Sequence, residues 1–173
     1  TLFGTLGVVN TGARLGAIWE HSRFRSPYLR HTLWDEGYAV DTLETAVNWS
    51  NLADAVDNIE SAIRDAVPGL DVHVFTHMSH IYPQGASIYT SYIFANAESY
   101  EETMTHWRAM KAAASAAVVS SGGTISHQHG VGRDHAPYLS AEKGERGMEA
   151  LKALTNHFDP DRVLNPGILL EDS

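Results

Sequence analysis

An apolar stripe in residues 48–69 constrains the fold of this chain more than any other feature of the sequence. The apolar residues recur at steps of three and four, which places them on one face of an α-helix. They are Leu52, Val56, Ile59, Ile63 and Val67. Pro68-Gly69 ends the helix. Because a helix that is apolar on one face must pack that face against a second layer, the stripe predicts a layered domain.

Segments with the two-residue alternation of β-strands surround this helix. Residues 38–47 precede it, and residues 70–77 follow it. Residues 86–95 form the next such segment, after a turn at residues 82–85 that contains Pro and Gly. A short run at residues 124–127 predicts a fourth strand.

A second long helix is predicted over residues 98–123, with acidic residues at its start and two glycines at its end. The order strand, helix, strand, strand, helix, strand is that of the ferredoxin-like, or split βαβ, fold. We therefore predict an α+β fold with an antiparallel sheet and helices on one face. Residues 26–37 and residues 140–157 predict additional helices before and after this unit.

Composition excludes several classes of protein. A chain of 173 residues with 43% hydrophobic residues is expected to form one globular domain. The absence of cysteine excludes disulfides and thiolate metal sites, and it agrees with a reducing cytoplasm, the compartment we expect. A net charge of −9 argues against nucleic acid or an anionic membrane as the main partner.

A glycine-rich segment, "GGTISHQHGVG" at residues 122–132, carries two histidines with little bulk around them. If this segment is extended, His127 and His129 share one face, roughly 6–7 Å apart. The glycines allow close approach of a ligand, and Arg133 adds a positive charge just beyond. A turn with two surface histidines is the simpler alternative.

Further polar groups lie near the turn at residues 82–85. His77 and His80 precede the turn, and Tyr89 and Tyr92 follow it on the neighbouring strand. Imidazoles, phenols and a guanidinium gathered at one place can transfer protons and bind an anion. The alternative for the tyrosines is packing on the sheet.

Arg30 lies among apolar neighbours and could clamp a carboxylate or a phosphate. Glu44, in "DTLETAVNW", could be its partner, or it could be an ordinary surface carboxylate.

Four motifs occur in order along the chain: "PYLRHTLWDEGYAVDTLETAVNWS", "HMSHIYPQGASIYTSYIF", "GGTISHQHGVGRDHAPYL" and "FDPDRVLNPG". Together they resemble the C-terminal cap of the FAD-linked oxidases of the vanillyl-alcohol oxidase superfamily. The branch they resemble most is that of alkyldihydroxyacetonephosphate synthase and its bacterial relatives. The resemblance implies that residues 1–173 are one substrate-side domain. Its partner would be an FAD-binding domain of the same protein, absent from this chain, and its substrate a small molecule or lipid. It also allows a homodimer.

The resemblance also implies roles for particular residues. Tyr89 corresponds to an acid/base tyrosine and Arg30 to an active-site arginine, and the catalytic set adds the two histidines of the 127–129 segment. The residues expected to bind substrate are Arg30, His77, His80 and Arg133. Those expected to contact the FAD are His129 and Asn165, and no metal is expected.

The segment of residues 127–129 corresponds to three consecutive histidines of the synthase branch, which exchanges a fatty acid for a fatty alcohol on the substrate without net oxidation. The central histidine, which takes the α-proton of the substrate in that branch, is Gln128 here, and an amide cannot accept this proton. Either His127, His129 or Tyr89 takes it, or the enzyme oxidises an alcohol or a hydroxy acid.

Two other functions compete with this one. The first is an FAD-dependent D-lactate or glycolate dehydrogenase with a divalent metal, since His77, His80 and the His127/His129 pair could bind zinc through their nitrogens. We rank it lower because no carboxylate lies near "THMSH" in the sequence. The second is a binding module without catalysis, which the absence of FAD-domain sequence motivates.

Overall fold

The computed structural model describes residues 2–7 and 12–170, without the side chains of Leu2, Phe3 and Ser26. The chain divides into two compact units, residues 1–37 and residues 38–173.

The first unit is helical. Its elements are α1 (Leu2–Thr5), α2 (Arg14–Ser22), a 3₁₀ segment (Arg23–Tyr28) and α3 (Leu29–Asp35). The described side chains of this unit are mostly exposed, and they include the large apolar side chains of Trp19 and Phe24. The helix predicted over residues 26–37 is therefore confirmed, and a 3₁₀ segment precedes it.

The second unit contains a three-stranded antiparallel sheet in the order β1-β3-β2. The strands are β1 (Tyr38–Asn48), β2 (Val72–Ile81) and β3 (Gly85–Ala95). The helices are α4 (Leu52–Asp65), α5 (Tyr100–Ser120) and α6 (Ala136–Phe158). The predicted α+β fold class is confirmed.

The two faces of the sheet have different surroundings. On one face, side chains from all three strands form a buried core with α4 and α5, and Ile59 and Ile63 of the predicted apolar stripe are completely buried in it. Alternation along the strands places the other residues on the opposite face, which we call the open face. Glu44, Tyr89 and His77 stand directly opposite one another in register across the open face.

The predicted fourth strand is wrong as a regular strand. Residues 124–127 lie along the edge of β1, where Thr124 N donates to Ala46 O at 3.2 Å and His127 N donates to Glu44 O at 3.0 Å. The two donors are three residues apart, whereas the two acceptors are two residues apart. In a regular β-ladder these spacings would be equal, so the segment is not a regular strand paired with β1. The segment still takes the edge position beside β1.

The last helix is longer than predicted, because α6 already begins at Ala136 and contains a break at Gly144, whose φ is 67°. The Asp159 carboxylate then accepts hydrogen bonds from the backbone N–H groups of Val163 and Leu164, at 3.0 and 2.9 Å. None of the helices in the described ranges is long and apolar enough to cross a membrane.

A polar network lies between β1, β3 and α5. Asp41 Oδ2 accepts hydrogen bonds from Tyr92 OH at 3.0 Å, from Trp107 Nε1 at 2.7 Å and from Lys111 Nζ at 3.0 Å. Burial alone would raise the pKa of Asp41. The Lys111 charge and the hydrogen bonds from Trp107, the Thr42 backbone and Lys111 outweigh burial and hold that pKa below its ordinary value. Tyr92, grouped with Tyr89 from the sequence, therefore belongs to the core and not to the open face.

We expect Lys111→Met to lower the free energy of unfolding by about 2 kcal/mol, because it leaves the Asp41 carboxylate without its cation. The cost stays below that of a fully buried pair because the Asp41 side chain is 28% exposed. Urea denaturation measures the change. Lys143→Met is the matched control, since its pair with Glu142 is exposed and is worth about 0–1 kcal/mol. Equal losses in the two variants would contradict the structural role of the network.

Candidate functional site

Glu44 lies at the centre of a cluster of imidazoles. It is a buried residue, only 5% exposed. Its Oε1 is 3.2 Å from His127 Nδ1 and 3.5 Å from His80 Nδ1, and its Oε2 is 3.3 Å from His129 Nε2. Ser79 Oγ also donates a hydrogen bond to Oε1. We call Glu44, Ser79 and the three histidines the Glu44 cluster. The alternative that Glu44 is an ordinary surface carboxylate is wrong.

The β2–β3 hairpin holds one side of the Glu44 cluster. The register between β2 and β3 shifts between Met78 and Ile81, so the alternation of side chains is broken there. Ser87 Oγ accepts a hydrogen bond from His80 N at 2.8 Å and lies 2.6 Å from Ser79 Oγ. The irregularity thus turns two consecutive residues, Ser79 and His80, toward the same carboxylate.

A tight turn holds the other side of the Glu44 cluster. Gln128 has a left-handed backbone with a φ of 61°, and Ser126 Oγ donates to Gly130 O at 2.7 Å across the turn. Residues 124–129 are therefore not extended, and His127 and His129 do not meet as same-face residues of a strand. The turn brings His127 and His129 to the two oxygens of one carboxylate, which an extended strand would not require.

Tyr89 and His77 extend the Glu44 cluster across the open face. The His77 and Tyr89 rings are stacked with centroids 5.1 Å apart, and the His129 ring meets Tyr89 edge-on at 5.5 Å. Tyr89 OH donates to Thr42 Oγ1 at 3.2 Å. The structure therefore brings together five of the predicted site residues: His77, His80, Tyr89, His127 and His129.

Tyr82 is a member of the site that the sequence analysis missed. Its hydroxyl lies 3.0 Å from His127 Nε2, and its ring is stacked over His80 with centroids 6.2 Å apart. The signal in the sequence that could have identified Tyr82 is its position in the predicted turn, two residues after His80.

The remaining predicted residues lie elsewhere in their units. Arg133 donates to Pro166 O at 3.0 Å and so binds the C-terminal segment. Asn165 lies in that segment, with a left-handed φ of 48° and its carbonyl accepting from Ile168 N at 3.2 Å. Arg30 lies in α3 of the first unit. The roles given to these three residues stay predictions.

The electrostatics of the site keep Glu44 ionised. Burial by itself would raise the pKa of Glu44, but the Ser79 hydrogen bond and the neighbouring Ser87 and His127 side chains outweigh it and hold the pKa below its ordinary value. A fixed negative charge next to three imidazoles can stabilise a protonated imidazole during proton transfer, or it can help to bind a metal ion.

We expect Glu44→Gln to weaken the dependence of stability on acid pH. Because the folded-state pKa of Glu44 is lowered, the stabilisation is present above the unfolded pKa of about 4.5 and is lost as the pH falls through the lower folded pKa. The glutamine variant lacks this contribution, so its unfolding free energy should change less between about pH 6 and about pH 3. Urea denaturation at a series of pH values tests this, with the exposed Glu149→Gln as control. An unchanged slope in the Glu44 variant would contradict the assignment.

Comparisons with known proteins show which proteins this chain is similar to. Alkyldihydroxyacetonephosphate synthase of Dictyostelium discoideum is 29% identical over 163 residues, which are 92% of this chain and 26% of that protein. The synthase of Trypanosoma brucei brucei is 25% identical over 171 residues, 98% of this chain and 28% of that protein. Glycolate oxidase subunit GlcD of Bacillus subtilis is 52% identical over 46 residues, 27% of this chain and 10% of that protein.

A solved structure of alkyldihydroxyacetonephosphate synthase, in a P212121 crystal, matches the fold with a TM-score of 0.57 and 20% identity. The match covers 91% of this chain and 25% of that one, so the chain spans about a quarter of the length of the synthases it resembles. The family model "FAD linked oxidases, C-terminal domain" matches residues 2–169. The chain therefore belongs to the FAD linked oxidases, of which it forms the C-terminal domain.

Proposed function

We propose that this chain is the substrate-side domain of an FAD-dependent enzyme that exchanges an acyl for an alkyl group on a dihydroxyacetone phosphate ester. The name of its synthase relatives indicates the product, alkyldihydroxyacetonephosphate. The observation that carries the proposal is the arrangement of Tyr89, His77 and His129 beside the ionised Glu44 on the open face. Such a reaction needs groups that give and take protons at a substrate, and these side chains can do so.

The open face suits a planar cofactor. Its central residues are a row of aromatic and imidazole side chains, and Phe75 and His77 at β2 are exposed. This chain has no glycine-rich loop of the kind that cradles phosphates, so the rest of the flavoenzyme would hold most of the FAD. When bound, the FAD would supply the reactive ring on which exchange or oxidation occurs. His129 and Asn165 are the residues of this chain proposed to contact it.

The substrate would be held mainly by charge. Guanidinium and imidazole groups bind an anionic phosphate, and the resemblance to the synthases implies this role for Arg30 in the first unit and for His77, His80 and Arg133 in the second. The proposed partners are therefore the FAD-binding domain of the same protein and a small-molecule or lipid substrate, with a homodimer allowed. Nucleic acid is not expected at a net charge of −9, and the cytoplasm is the proposed compartment.

The full-length flavoenzyme tests the proposed reaction directly. With an acyl ester of dihydroxyacetone phosphate and a labelled fatty alcohol, we expect a labelled ether product, a released fatty acid and no net consumption of an electron acceptor. Reduction of an electron acceptor by a 2-hydroxy acid, with no ether product, would refute the exchange reaction.

We expect Tyr89→Phe to lower turnover in the full-length enzyme by about 10²–10⁴-fold, if the phenol transfers a proton. The ring and its stacking on His77 are kept, so the fold should survive. Tyr38→Phe at the exposed start of β1 is the control and should have wild-type turnover. Full activity of the Tyr89 variant would make this residue a packing residue.

One observation favours a second candidate, the oxidation of a 2-hydroxy acid with a divalent metal. Glu44, His80 and His127 offer one oxygen and two nitrogens that all lie within 4.8 Å of one another. No carboxylate lies near "THMSH" in the sequence, but in the structure Glu44, from a different strand, lies beside His80. The GlcD relative supports the same candidate.

A chelator separates the two candidates. Under the leading proposal, the full-length enzyme should keep its turnover after dialysis against a chelator, and elemental analysis should find no stoichiometric metal. Loss of turnover on chelation, with rescue by Zn²⁺ or Mn²⁺, would favour the second candidate. In that case Glu44→Gln and His80→Ala should each lower metal affinity, measured by calorimetry on the protein.

A further inference from the structure

We infer that Tyr82 takes the substrate proton that Gln128 cannot accept, and that His127 and Glu44 activate it. This inference rests on the proposed function. Tyr82 had no role in the sequence analysis, yet its hydroxyl is 3.0 Å from His127 Nε2. The chain Tyr82–His127–Glu44 has the order of groups that activates a hydroxyl: a hydroxyl, an imidazole and a carboxylate.

The carboxylate determines which nitrogen of His127 carries the proton. Glu44 Oε1 is 3.2 Å from the buried Nδ1, and this contact is electrostatic rather than an aligned hydrogen bond. A bare nitrogen lone pair facing a negative charge would be repelled, so the neutral ring is protonated at Nδ1. Nε2 is then an acceptor, and Tyr82 OH donates to it.

His127 and Glu44 contact each other through both their backbones and their side chains. The backbone N–H of His127 donates to the Glu44 carbonyl at 3.0 Å, while the two side chains face each other. Glu44 remains ionised because Ser79 donates to it and the adjacent Ser87 also favours its charged form. A proton that reaches His127 is therefore stabilised by an adjacent negative charge.

Tyr89 lacks such a base. Its hydroxyl donates to Thr42 Oγ1, a neutral hydroxyl that cannot store a proton. Tyr82 therefore has an acceptor for its own proton, and Tyr89 remains available for a second acid/base role at the leaving or entering group.

The hairpin turn fixes Tyr82 without covering it. Tyr82 N donates to Gly85 O at 2.8 Å, and Trp49 donates to Pro83 O and to Gln84 O from its indole and its backbone, at 3.2 and 3.1 Å. Gly85 packs so closely that a Cβ there would lie 1.9 Å from the Val47 carbonyl oxygen. Tyr82 is nevertheless 37% exposed, so the turn leaves part of this residue open to solvent.

The step is a proton transfer with no change of oxidation state. A C–H bond of the substrate breaks and leaves its electron pair on the substrate, and the proton joins the Tyr82 oxygen. The original Tyr82 proton moves to His127 Nε2. The resulting imidazolium lies beside the Glu44 carboxylate, and the reverse transfer restores the starting state.

Nitrogen NMR of the histidine rings tests the relay without any turnover. In chelator-treated wild-type protein, we expect His127 to be the Nδ1–H tautomer, and we expect Tyr82→Phe to shift the Nε2 signal only. Glu44→Gln should convert part of His127 to the other tautomer. A wild-type ring protonated at Nε2 would overturn the inference. So would Nδ1 occupied by Zn²⁺ when the ion is added at micromolar concentration.

Kinetics of the full-length enzyme test the role of Tyr82 in the reaction. Tyr82→Phe should lower kcat by about 10²–10⁴-fold with little change in KM. It should also increase the isotope effect with substrate deuterated at the carbon that loses the proton, which a purely structural role would not do. Tyr38→Phe should change neither quantity. Wild-type kcat in the Tyr82 variant would overturn the inference.

Failure of the proposed function has a different signature. If wild-type enzyme makes no ether product but oxidises a 2-hydroxy acid, the exchange reaction is refuted, and the same comparison of Tyr82→Phe with Tyr38→Phe is made with that substrate. An unchanged rate and isotope effect there would overturn the inference about Tyr82 as well.

Discussion

The ionised carboxylate of Glu44 is the interaction on which the arrangement of the site depends. It is a buried charge on the open face of the sheet, and its partners are a hydroxyl and imidazoles from two separate segments, the end of β2 and the turn at residues 126–130. A buried carboxylate without such partners would be costly to the fold. The same contacts that make the charge tolerable therefore fix the positions of His80, His127 and His129.

The sheet places two carboxylates, Asp41 and Glu44, on opposite faces, and their surroundings give them different roles. Asp41 faces the helices, where Lys111 neutralises it, so it contributes to the core. Glu44, three residues along β1, faces away from the helices, and its partners are imidazoles. An odd spacing in a strand sends the two side chains to opposite faces. The first carboxylate therefore contributes to stability, and the second is available to the proposed chemistry.

Much of the fold was predictable because its signals are local. The stripe of α4 and the alternation of the three strands appear in the sequence as periodicities, and the structure confirms both. The fourth strand was not predictable in the same way. Residues 124–127 favour β-structure, but they meet β1 out of register, and the next residue, Gln128, has a left-handed backbone. The amino-acid composition of the segment indicates neither feature.

By itself, the sequence determined the layered α+β fold, the excess of negative charge and the set of histidines and tyrosines from which a site could be built. Only the tertiary structure decided which of them meet. Glu44 lies 83 positions before His127, and Tyr82 lies 45 positions before it. Glu44 and Tyr82 are themselves 38 positions apart, so no local spacing links the three residues. Strand register and two tight turns bring them together, because cross-strand neighbours are set by pairing between distant segments and not by distance along the chain.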